Sequence, residues 1–78
     1  MKPSNLRHYK GAIISHEPPF IHLHMPIDPK IYPDRIRAIE GVQALASYER
    51  YEIVIKFGKA FDPFEVGQRV VDSIITSQ

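Results

Sequence analysis

Hydrophobic and polar positions along this chain follow two different periods, and the points where the period changes mark its elements. Phe20 to Met25 alternates strictly: Phe20, His22 and His24 share one face, and Ile21, Leu23 and Met25 the other. That is the period of a half-buried strand. Gly11 to Ser15 predicts a shorter strand before it. The intervening His16-Glu17-Pro18-Pro19 predicts a turn, because proline fixes φ and has no N–H to give to a ladder. Tyr51 to Phe57 alternates Tyr51, Ile53, Ile55 and Phe57 against Glu52, Val54 and Lys56, so its inward face is unambiguous. Val42 to Tyr48 holds small, uncharged residues and predicts an edge strand paired with it around Glu49-Arg50.

Two stretches change to the helical period. Pro26 to Tyr32 reads as a loop, and Pro33 suits a first helical turn, where no N–H is needed. Tyr32, Ile36 and Ile39 then fall on one face, and Glu40-Gly41 stops the helix with Gly41 as a left-handed cap. The last helix opens with Asp62 as N-cap, Pro63 as first residue and Glu65 completing a capping box, while Phe61 and Val66 occupy the hydrophobic-staple positions. Its apolar stripe runs Phe64, Gly67, Val71, Ile74, widened by Val70 and Ile75. Gly67 in a helix interior costs about 1 kcal/mol relative to Ala, which implies close approach to the other helix or to the sheet.

Composition sharpens this picture. Eleven Ile and five Val stand against three Leu, and β-branched residues fit a pleated surface, so a sheet is expected to supply most of the core. At 78 residues the chain has room for one domain. The order β-β-α-β-β-α, with short connections, predicts an α+β two-layer sandwich. Its expected form is a permuted ferredoxin-like ββαββα domain over residues 11–78, with a four-stranded antiparallel sheet and two helices on one face. Residues 1–10 carry Lys2, Arg7 and Lys10 without an acid and read as a basic, flexible tail.

With that order in hand, three pieces resemble the N-terminal domain of Nfu-type iron–sulfur scaffold proteins. They are Ile14-Ser15-His16-Glu17-Pro18, similar to that family's strand-into-turn segment; Ile39-Glu40-Gly41-Val42, similar to its helix-ending Gly-Val; and Tyr51 to Lys56, similar to the strand that follows. The likeness spans residues 9–75. It departs in a shortened Pro-rich turn, in Phe64 where the family commonly has Trp, and in lacking the family's cysteine-bearing domain. The resemblance implies an accessory binding domain without a cluster of its own, linked to iron–sulfur assembly.

Candidate chemistry is sparse. The chain has no cysteine, which removes disulfides, thiolate metal sites and cysteine nucleophiles. The four glycines are scattered and form no phosphate loop, and Ser15 beside His16 has no orienting acid. The chain therefore reads as non-catalytic, with no cofactor. No apolar run reaches the length of a membrane span and no signal peptide is present, so a cytoplasmic protein is expected. The uncovered sheet face around His22, His24, Val54 and Lys56, with the hairpin tip and edge around Tyr48 and Arg50, predicts a surface for a protein partner, including a second copy through the edge. An alternative places nucleic acid on the same face, held by Lys2, Arg7, Tyr9 and Lys10 of the tail. A third puts a divalent metal on His22 and His24, which share a strand face, with His16 as an additional ligand.

Overall fold

The computed structural model describes residues 5–76. Five strands are formed: β1 (Leu6–Tyr9), β2 (Ala12–Glu17), β3 (Phe20–His24), β4 (Val42–Glu49) and β5 (Glu52–Phe57). The helices are α1 (Pro33–Arg37), between β3 and β4, and α2 (Pro63–Thr76), which ends the described chain. The sheet is antiparallel throughout, in the order β1-β2-β3-β5-β4. The class is α+β, as expected. The four-stranded ferredoxin-like arrangement is not what forms, because a fifth strand joins the sheet from residues 6–9.

That strand lacks an aliphatic inward stripe, which is why hydrophobic periodicity passes over it. Leu6 pairs with Ser15, Arg7 with Ile14, His8 with Ile13 and Tyr9 with Ala12, so the inward residues are Arg7 and Tyr9. Arg7 lies over the Phe64 ring, 4.7 Å from its centroid, and Tyr9 packs on the edge of the core. Its link to β2 is a two-residue turn with Lys10 at φ 50° and Gly11 at φ 84°. Two successive positive φ values match the right-handed twist of a hairpin, and glycine takes the second position freely.

The other turns are tight as well. Glu17 pairs with Phe20 across a cis Pro18–Pro19 peptide, and Glu49 pairs with Glu52 across Arg50-Tyr51, where Arg50 has φ 43°. The tip is thus Arg50-Tyr51, one residue later than Glu49-Arg50. Helix α1 is shorter than its apolar spacing suggests: it ends at Arg37, and Gly41 reaches φ 98° beyond an intervening turn.

Both helices cover the same sheet face. The core is Ala12, Ile14, Ile21, Leu23, Ile53 and Ile55 from the sheet, with Ile36 of α1 and Val66, Val70, Val71 and Ile74 of α2 above them. Asp62 caps α2, its Oδ2 accepting from the Glu65 N–H at 3.2 Å. Gly67 faces the sheet: a Cβ there would stand 2.7 Å from Ile14 Cγ2 and 3.2 Å from Ile14 Cδ1. Ile14 is fully buried in a central position and has nowhere to retreat.

Gly67→Ala is therefore expected to destabilise by overpacking, a penalty of about 1–3 kcal/mol, offset in part by the roughly 1 kcal/mol that alanine gains in a helix. Urea unfolding followed by circular dichroism measures it. A midpoint equal to or above that of the parent would show that α2 can lift off β2 at no cost.

Candidate functional site

Strand register fixes which side chains stand on the face that the helices leave uncovered. Three rows cross it. The central row reads Leu6, Ser15, His22, Val54 and Ser47 across all five strands. Beside it runs His8, Ile13, His24, Glu52 and Glu49. On the other side lie Glu17, Phe20, Lys56 and Ala44. None of these residues is buried, and Leu6 is 48% exposed.

His22, His24, Val54 and Lys56 thus share one surface, and the structure brings them together. Alternation within β3 and β5 was sufficient to place them. Leu6, His8, Ile13 and Glu17 belong to the same surface and were missed, because Leu6 and His8 depend on β1 and Ile13 and Glu17 on the register of β2 with β3. The signal available was the contrast of Ala12 and Ile14 with Ile13 and Ser15. Tyr48 does not join this face: it pairs with Ile53, on the helix side, and is 49% exposed at the sheet margin. Arg50 projects at the turn, beside a shallow depression lined also by His24, Glu49, Tyr51 and Glu52. There Glu49 and Glu52 are directly opposed, an arrangement of like charges that a sheet disfavours.

The histidines divide. His22 Nε2 lies 4.0 Å from Glu17 Oε1, and Glu17 Oε2 accepts from the Ser15 hydroxyl at 3.3 Å. His16 pairs with Ile21 on the opposite face, where its ring meets Phe57 edge-on at 5.4 Å and Phe64 at 6.2 Å. It cannot supply a third ligand to His22 and His24. Among the described residues no group of three or more His, Asp or Glu converges on a point suited to a metal ion.

The basic segment is engaged elsewhere. Lys2 lies outside the described residues. Arg7 and Tyr9 face the helix layer, where the Tyr9 hydroxyl donates to both carboxylate oxygens of Asp72, at 3.0 and 2.9 Å. Lys10 Nζ meets Asp72 Oδ1 at 2.7 Å. A nucleic acid lying on the open face would find Arg7 and Tyr9 beneath the sheet and Lys10 paired. The lysine hydrogen bond beside Asp72 holds its carboxyl below the usual carboxylate range, and the same contact raises Lys10.

Comparison with family models, with curated proteins and with solved structures finds no match. No helix among the described residues is long and apolar enough to cross a membrane.

Because the Asp72 carboxyl is lowered in the folded state, its stabilisation is present above the ordinary carboxylate value and lost as pH falls through the lowered one. Asp72→Asn is expected to melt below the parent at pH 7. The gap should narrow as the pH is taken below about 4. Thermal unfolding of both proteins across that range checks it, and a constant gap would mean that the carboxylate charge plays no part in holding β1.

Proposed function

We propose that this protein is a small non-catalytic protein–protein interaction module, an adaptor or accessory protein that binds through the uncovered face of its sheet. The observation that supports this reading is the continuity of that face. Apolar Leu6, Ile13, Phe20 and Val54 stand half-buried or exposed on it, with His22 and Ser15 between them. Apolar surface rimmed by polar groups is the usual composition of a partner site. The charges around it are mixed, with Glu17, Glu49 and Glu52 against Lys56, so a folded protein surface of mixed charge suits it better than a polyanion. The resemblance of Ile14–Pro18, Ile39–Val42 and Tyr51–Lys56 to the Nfu-type domain makes iron–sulfur assembly the first setting in which to seek the partner.

The test is capture from nuclease-treated lysate of the source cell on the immobilised full chain, against Val54→Glu. Val54 lies at the centre of the surface and is only partly buried, so the substitution should leave the core intact. A specific protein retained by the parent and weakened at least about tenfold by Val54→Glu is the expected result. The reading falls if Val54→Glu, folded as the parent is, leaves every captured partner unchanged.

A further inference from the structure

Strand β4 is the long edge of the sheet, and its register contains an irregularity with a consequence for what it can pair with. Two shifts interrupt its ladder with β5, between Val42 and Ala44 and between Leu45 and Ser47. Each inserts one extra residue into β4. In a regular strand Val42, Leu45 and Tyr48 would alternate between faces. Here they pair with Phe57, Ile55 and Ile53 respectively, all on the helix side, so the two insertions collect three apolar residues into one row along the margin. That row is thinly covered. The long helix α2 lies mainly over β1, β2 and β3, and the five-residue α1 lies over β4. Val42 and Leu45 are left partly exposed and Tyr48 49% exposed.

We propose that the occupant of this edge is a second copy of the chain, paired β4 to β4 in antiparallel fashion about a two-fold axis at Leu45. This rests on the reading that the chain acts through protein contact, and it names one such contact. The axis sets Leu45 against Leu45 and Tyr48 of each copy against Val42 of the other, so inward residues meet only inward residues and the two helix-side layers become continuous. Another axis position, one residue along, would place inward residues against outward ones and bury nothing. The same operation brings Arg50, at the turn after β4, to the partner's Glu40, just before it. Both are exposed, Glu40 with 77% of its side chain accessible. Among the described residues Arg50 makes no ion pair within its own chain, and Glu40 keeps only a 3.6 Å contact with Arg69. Glu49, beside Arg50, falls opposite the partner's Gly41, so the complementarity of this antiparallel self-contact is the Arg50–Glu40 pair, formed twice by the symmetry. The strand's outer backbone groups would supply the hydrogen bonds.

Sedimentation equilibrium of the full chain between about 10 μM and 1 mM tests it. The parent is expected to dimerise. Glu40→Arg and Arg50→Glu, each folded by circular dichroism, should each raise the dimer dissociation constant at least about tenfold, while the double variant, with the charges exchanged, should recover most of that loss. In a mixed sample of isotope-labelled and unlabelled chains, intermolecular contacts should connect the Tyr48 ring with Val42 methyls. A chain that stays monomeric, a dimer whose contacts involve Val54 instead, or a double variant as weak as the singles would overturn the proposal. Loss of capture by Val54→Glu in a monomeric chain would remove this contact and leave the open-face module standing. A β4 dimer that captures nothing would do the reverse.

Discussion

Everything in this domain depends on how near α2 can come to β2. A side chain at position 67 would hold the helix away from the sheet, since even a single Cβ would fall 2.7 Å from Ile14 Cγ2. With glycine there, the flanking Val66, Val70, Val71 and Ile74 reach the sheet and are buried. A domain this small buries a modest fraction of its surface, so losing that contact would remove much of its hydrophobic stabilisation. The helical penalty of glycine is about 1 kcal/mol, small beside the burial of several branched side chains.

The same approach sets the position of Asp72, about one and a half helical turns beyond the close contact, and so decides the fate of the first strand. A four-residue strand with two hydrogen-bonding edges but only one neighbour has little of its own to keep it in place. It is held from above: Tyr9 and Lys10 by Asp72, and Arg7 by the Phe64 ring. The backbone adds one more link, with Asn5 and His16 joined through the His16 N–H and the Asn5 carbonyl at 2.9 Å. A helix that stood farther from the sheet would leave these groups in water, and β1 would have lost its support.

This explains which parts of the structure were legible in the sequence. Where a strand buries aliphatic side chains, as β3 and β5 do with Ile21, Leu23, Ile53 and Ile55, alternation identifies both the strand and its faces, and the open face around His22, His24, Val54 and Lys56 follows. The cap at Asp62 and the need for close packing at Gly67 were equally local and equally readable. β1 was not, because its inward residues are Arg7 and Tyr9, whose partners Phe64 and Asp72 lie near the other end of the chain, and a positive segment without acids has the composition of a tail. The placement of His16 away from His22 and His24 also required the register, since Glu17 and Phe20 pair directly across Pro18-Pro19 and leave His16 opposite Ile21. The face change within β4 has no compositional signature at all; it exists only in the mismatch between two paired strands.

That mismatch has a geometric consequence. Eight residues of β4 run alongside six of β5, so the outer strand follows a longer path and must bow away from a flat ladder, adding twist at that margin. A flat edge invites addition of further strands without limit, whereas a bulged and twisted one admits fewer partners and fewer registers. Were two copies to share it, the edges left among the described residues would be the outer sides of β1, four residues long and bearing Arg7 and His8. Such an assembly would be closed at two by its symmetry, since each copy would have used the long edge that could have added another strand.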